Sequence, residues 1–303
     1  MVQMMDTDTI KLSESLVDEL VGALALPKTR AWHNLFWRVF RKTTDRLSTL
    51  GITFDRIVSQ DGLPAGSEWA LSHFCNPVRY QGLENIPLEC PLLVVSNHPG
   101  AYDALAIFSK LIRKDIKWIG SIIPFLEKLP HINQHIIFAS RLDPFNGMSV
   151  MRSSLRHLQS GGTLLYFGAG HRDPDPDVYP DAGKMMDKWL KGIEVFIKHI
   201  PELILLPTIV SGVVTKKWAR HPLTLLRRKQ IDKQRLSEFG QVISQLLIPG
   251  RLMITPSISF GSPITGASLL NSSGLHGPLP TLIEYEKKLL ISHCSVFGGD
   301  PGL

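Results

Sequence analysis

The sequence predicts an α/β fold, with a mostly parallel (mixed) central sheet covered by helices and an N-terminal helical region ahead of it. Three observations carry this. From Val78 onward, short apolar runs of strand length alternate with stretches of helical period. The runs are rich in Val, Ile and Leu, as expected of strands in a sheet covered on both faces. The first seventy or so residues instead carry stripes at helical spacing.

Taken in order, Leu16, Val17, Leu20, Val21 and Leu24 form one stripe, and Trp32, Leu35, Phe36, Val39, Phe40 and Leu47 a stronger one. Arg38, Arg41, Lys42 and Arg46 fall largely on the opposite face of that second helix, which either packs on the main domain or lies on an anionic membrane. The strand candidates are Leu92 to Val95, Ile116 to Ile119, Ile136 to Ala139, Leu164 to Phe167, Leu203 to Val210 and Leu252 to Phe260. A helix runs through Met148, Met151, Leu155 and Leu158, with Asn146 at its start and Gly161 at its stop. Leu236, Phe239, Ile243 and Leu246 mark a late helix. The expected organisation is a helical region over 1–75, an α/β domain over 76–290 and a loose tail over 291–303, where Gly298, Gly299, Pro301 and Gly302 cluster.

At 303 residues, 44% hydrophobic and 20% charged, the chain is neither disordered nor fibrous. A formal charge of +6 biases it toward anionic partners without choosing among nucleic acid, lipid headgroups, phosphorylated metabolites and acidic carriers. No recognition motif supports nucleic acid. Cys75, Cys90 and Cys294 are too few and too scattered for a disulfide framework or a zinc site, which fits a reducing compartment. Asp6, Asp8, Lys11 and Glu14 interrupt any secretory h-region. The most apolar stretch, Leu203 to Val214, is shorter than the roughly 20 residues that span a bilayer. The expected location is cytoplasmic, with peripheral contact on the inner face of a membrane.

The chemistry concentrates in Ser96-Asn97-His98-Pro99-Gly100-Ala101-Tyr102-Asp103, between a buried strand and the stripe Leu105, Phe108, Leu111. In one regular helix His98 and Asp103 would stand about 140° apart. Pro99 and Gly100 break that regularity, so a turn can fold the carboxylate at the helix start back onto the imidazole. Such a pair fixes the ring tautomer and leaves one nitrogen free to accept a proton. The plainer reading is a turn-capping His98 with Asp103 as a first-turn anion.

Asn97-His98, four intervening residues and Asp103 resemble the first signature block of the glycerophospholipid acyltransferases. Val78 to Pro87 looks like that family's lead-in strand and turn. Pro124-Phe125 with Phe138-Ala139-Ser140-Arg141 is similar to its second block, and Gly161-Gly162-Thr163 leads into Phe167-Gly168-Ala169-Gly170-His171-Arg172, which resembles the third. There Gly170 and Arg172 match, while Gly168, Ala169 and His171 stand where Pro, Glu and Thr are usual. Lys191-Gly192 and Leu206-Pro207-Thr208-Ile209 resemble the segments that follow. The likeness spans roughly residues 78 to 212.

The resemblance implies a fatty acyl transfer, of the kind used in phospholipid biosynthesis, from acyl-CoA or acyl carrier protein to a hydroxyl of a glycerolipid or lysophospholipid-like acceptor. His98 is then the general base and Asp103 orients it. Arg141, Gly170, His171, Arg172 and Lys191 are the candidates for holding substrate or phosphate, and no metal or bound cofactor is implied. The arginines offer fork geometry to phosphate, or serve as ordinary surface arginines. With Ala169 in the third block, a non-glycerol acceptor or a non-catalytic lipid-binding protein on the same fold is the alternative. Asp173-Pro174-Asp175-Pro176-Asp177 reads as a solvated acidic loop rather than a metal site. Arg227-Arg228-Lys229 with Lys216, Lys217 and Arg220 reads as a basic region facing anionic lipid, an acidic carrier or solvent.

Overall fold

The computed structural model describes residues 30–140, 146–272 and 277–303, with side chains from residue 41 onward. The elements are α1 (Arg30–Asp61), α2 (Leu63–Ser72), β1 (Arg79–Gln81), β2 (Leu92–Ser96), α3 (Asp103–Phe108), β3 (Ile116–Ser121), α4 (Pro124–Glu127), α5 (Pro130–Asn133), β4 (Ile136–Ala139) and α6 (Asn146–Gln159). They continue as β5 (Thr163–Phe167), α7 (Ala182–Met186), α8 (Ile193–His199), β6 (Ile204–Ser211), α9 (Lys216–Ala219), α10 (Gln230–Leu247), β7 (Ser257–Phe260), β8 (Ile264–Thr265), α11 (Gly266–Ser272) and α12 (Pro278–Phe297). Among the described residues the strands form one eight-stranded sheet in the order β1-β7-β6-β2-β5-β3-β4, with β8 on β6. All its pairs are parallel except β6 with β7 and β6 with β8.

Central β2 shows why its run is continuously apolar. Leu92 and Val94 enter one core cluster with Ile107, Phe108, Leu206 and Val210, whereas Leu93 and Val95 enter another with Phe196, Leu205, Ile209 and Leu282. A strand covered on both faces has no solvent side to mark with polar residues. β2, β5 and β6 run in register, Ser96 opposite Phe167 on one side and Thr208 on the other. Their C-terminal ends therefore open together, where open α/β sheets commonly bind ligands.

Three expectations need correction. The run Leu252 to Phe260 is strand only from Ser257 to Phe260, because Pro256 lacks a ladder donor and Ile254 makes just an isolated bridge to Cys75. The tail over 291–303 is not loose: α12 continues to Phe297, with His293 and Cys294 buried. Beyond it, Asp300 donates to Pro176 O, while Gly183 and Lys184 donate to Pro301 O and Gly302 O. The glycines at that end allow close backbone approach, since a Cβ on Gly299 would lie 2.6 Å from Pro176 O. Nor does residue 75 divide two cores, as Val58, Leu63 and Leu71 share the cluster of Ile107 and Phe108.

From residue 41 the N-terminal helices pack on the sheet layer. Asp55 of α1 accepts the N–H groups of His131 and Ile132 at the start of α5, each at 2.9 Å, and contacts His131 Nδ1 at 2.8 Å. The stripe Leu16 to Leu24 and the side chains of Trp32 to Phe40 lie outside the described residues. No helix among the described residues is long and apolar enough to cross a membrane.

Candidate active site

At the end of β2, buried Asn97 continues the pairing with β6 through its side chain, donating to Val210 O at 2.9 Å and accepting from Val210 N–H at 2.8 Å. This fixes the chain just before His98. The turn through Pro99 and Gly100 then brings Asp103 back, and its Oδ2 lies 2.8 Å from His98 Nδ1. Gly100 N–H donates to the same oxygen at 3.0 Å, and Ala104 N–H to Oδ1 at 2.6 Å. Asp103 thus takes up N–H groups at and just before the start of α3. Glycine suits position 100, since a Cβ there would lie 2.7 Å from Val213 Cγ2.

The segment after β5 closes over this turn. Phe167 stacks on the His98 ring with centroids 4.0 Å apart. Gly168 lies against the Trp189 indole, and Ala169 is buried in the same cluster as Met186 and Trp189. A side chain at 169 therefore meets an apolar core. Gly170 adopts a left-handed φ of +63° and turns the chain toward Arg172. His98 and Asp173 are joined reciprocally, His98 N–H donating to Asp173 Oδ2 and Asp173 N–H to His98 O, both at 2.9 Å.

Arg172 Nη1 contacts Nε2 of His98, and its Nε donates to Glu238 Oε2 at 3.1 Å. The Asp103 carboxylate accepts, so Nδ1 carries the proton toward it and Nε2 is the nitrogen left to accept. His171 pairs its Nδ1 with the adjacent Arg172 carbonyl at 2.9 Å, so the structure sets it beside the dyad rather than on it. Lys191 is exposed and makes no bond to His98, Asp103 or Arg172 among the described residues. Arg141 lies outside the described residues.

The tract Asp173 to Asp177 is not a solvated acidic loop, because Asp173 and Asp175 are buried. Asp175 accepts from Gly212, Val213, Val214 and Asp177 N–H groups at 2.9 to 3.0 Å, tying the third block to the turn after β6. Backbone donors replace water around it. Among the described residues no group of three or more His, Cys, Asp or Glu side chains is arranged to hold a metal.

Sequence reasoning missed the contribution of α10. Gln234 donates to Pro99 O at 2.5 Å and to Asp173 O at 2.8 Å, Glu238 holds Arg172, and Gln241 reaches Val213 O at 2.8 Å. Gln245 reaches Phe74 O and Leu252 O and accepts from the Tyr102 hydroxyl. These four residues recur at helical spacing and are buried, whereas Leu236, Phe239 and Ile243 of the apolar stripe are only half-buried. The available signal was that second, polar stripe on one helix.

Burial, with Arg172 and His171 adding to it, holds His98 below the ordinary imidazole range despite the opposing pull of Asp103. Burial also lifts Asp173 to about 6 and Glu238 to about 7. The result is a neutral imidazole near neutral pH, oriented by a carboxylate, with a cation at its free nitrogen.

No protein-family model matches the chain, and no curated protein matches it in sequence. Several solved structures are similar. One is the 1-acyl-sn-glycerophosphate (LPA) acyltransferase PlsC from Thermotoga maritima, 17% identical, covering 93% of this chain and 96% of that one with a TM-score of 0.43. So distant a likeness says nothing about activity, which is argued below from the side chains.

Proposed function

We propose that the chain moves an acyl group from a thioester to a hydroxyl, with His98 as general base and Asp103 as its orienting carboxylate. The observation that carries this reading is the 2.8 Å contact between His98 Nδ1 and Asp103 Oδ2 at the open end of the central strands. Nε2 takes the hydroxyl proton as the oxygen attacks the thioester carbonyl. The tetrahedral intermediate then breaks its C–S bond, and the imidazolium returns the proton to the departing thiolate. No enzyme-bound acyl intermediate, metal or organic cofactor takes part in this scheme.

Arg172 occupies the lone pair that the hydroxyl needs, so an anionic group on the acceptor draws the guanidinium aside before transfer. This favours a phosphorylated glycerolipid or lysophospholipid-like acceptor, with Arg141, His171 and Lys191 as further contacts and Gly170 as the turn that admits them. Acyl-CoA or acyl carrier protein supplies the acyl group. Because such substrates are lipids, the reading includes transient contact with an anionic membrane surface from the cytoplasmic side.

The test follows CoA release from palmitoyl-CoA over a panel of lysophospholipids, glycerol 3-phosphate and neutral alcohols, beside His98→Ala and Asp103→Asn variants. Acceptor-dependent release that His98→Ala abolishes, and that Asp103→Asn lowers by on the order of ten-thousandfold, is expected. A second reading, a non-catalytic lipid-binding protein, is favoured by the engagement of Nε2 by Arg172. It gains if release stays at background with both acyl-CoA and acyl carrier protein as donors.

A further inference from the structure

We propose that residues 216–229 form a docking face for an anionic lipid bilayer. The 3-10 turn Pro222–Leu226 leaves Leu225 and Leu226 77% and 75% exposed and Leu223 50% exposed. Water-facing leucines on consecutive positions forgo the stabilisation that burial would give. They are held outward by a built turn. Thr224 is buried and donates its hydroxyl to His221 O at 2.7 Å, the His221 ring stacks on Trp218 at 4.7 Å, and His221 Nδ1 accepts from Leu223 N–H.

The charge around these leucines has one sign. Lys216, Lys217, Arg220, Arg227, Arg228 and Lys229 flank them, and no acidic residue occurs from Lys216 to Ile231. Among the described residues only Lys216 of the six has an ion pair, with Asp177 at 3.2 Å. Basic residues around protruding apolar tips suit a bilayer interface, where the tips enter the acyl boundary and the cations meet anionic headgroups. An acidic protein would satisfy the charges and leave Leu225 and Leu226 without a matching environment.

The face is joined directly to the site. α10 starts at Gln230, and Gln234, within its first two turns, already bonds Pro99 O and Asp173 O on either side of His98. A bilayer held at the Leu225 turn therefore lies at the end of the helix that supports the catalytic turn. This face deepens the proposed function, on whose membrane contact it rests; vesicle binding is read without turnover, so its failure is distinct from a failure of acyl transfer.

The test sediments the full chain with phosphatidylcholine vesicles, with and without phosphatidylglycerol, at low and high salt. Binding is expected to the anionic vesicles at low salt. Leu225→Ser/Leu226→Ser should weaken the partition about tenfold or more, and Arg227→Glu/Arg228→Glu by on the order of twentyfold. These side chains are exposed or half-buried, and an unchanged circular dichroism spectrum confirms that each variant folds. Amide exchange supplies a second readout: anionic vesicles should slow exchange across 221–229. Unchanged partition of both variants, binding without that protection, or association with an acidic protein but with no anionic vesicle would each overturn the proposal.

Discussion

Glu238 holds Arg172 across 66 residues of chain, its Oε2 accepting from the guanidinium Nε at 3.1 Å. The other carboxylate oxygen, Oε1, is buried without a hydrogen-bond partner among the described residues. Ala169 is buried in the same apolar cluster as Trp189. The carboxylate paired with Arg172 comes from α10.

Removing that support should misplace Arg172. Glu238→Ala is expected to lower kcat/KM about tenfold or more, in line with a lost hydrogen bond to a charged group. Glu238→Gln, which can still accept from Nε, should retain most of the activity. It should also be the more stable protein above pH 7. The wild-type carboxyl is raised to about 7 by burial, so the fold loses stability as pH climbs from about 4.5 through 7 and the carboxyl ionises. Melting curves for the two proteins that stay parallel over this range would contradict the assignment.

The pH dependence of kcat/KM reports the free imidazole. Burial, with Arg172 adding to it, keeps His98 below 6.5, so the base stays neutral and the acidic limb should fall below pH 6.5. Replacing Arg172 by Gln removes a cation beside the ring and should move that limb upward while weakening the acceptor's KM. A limb that Arg172→Gln leaves in place would mean the guanidinium does not reach the ring in solution.

How far the sequence reveals the fold and the site depends on whether the interacting residues are neighbours in the chain. β2, β5 and β6 were legible because burial on both faces leaves an unbroken apolar run. His98 and Asp103 were legible as a pair because one turn joins them. The polar stripe of α10 was not, because its partners are carbonyls of Pro99, Asp173, Val213, Phe74 and Leu252, scattered over the chain. A polar stripe ordinarily marks the solvent side of a helix. Here it is the buried side, since those carbonyls need donors inside the fold. Asp175 misled in the same way, its hydration replaced by four N–H groups that no local pattern announces.

Gly168 tests the third block. A Cβ there would fall 2.1 Å from Cδ2 of Trp189, so Gly168→Ala must push the indole out of place. The expected loss is about 1 to 3 kcal/mol. Combining Gly168→Ala with Trp189→Leu should cost less than the sum of the two single changes, because the smaller side chain makes room. Additive losses in denaturant unfolding would place the two side chains apart.

His293 offers a stability signature away from the His98 turn. It is buried under β6 and β7, with Nε2 2.7 Å from Ser211 Oγ and Nδ1 2.8 Å from Ser259 Oγ. Burial, with Arg79 adding to it, lowers it to about 4 from an ordinary 6.5. Between those values the unfolded chain binds the proton and the folded chain does not, so this residue's contribution is complete above pH 6.5 and lost as pH falls toward 4. The shift corresponds to roughly 3 kcal/mol. Asp173, Asp175 and Glu238 act in the opposite sense, because their raised values make the fold bind protons first as the solution is acidified. The total slope is therefore partly cancelled, and the useful quantity is the difference between wild type and His293→Gln, which retains a donor and an acceptor but does not titrate. That difference should shift by roughly 3 kcal/mol in favour of the variant between pH 6.5 and 4. A difference that stays constant with pH would mean that the ring does not remain neutral between its two serines.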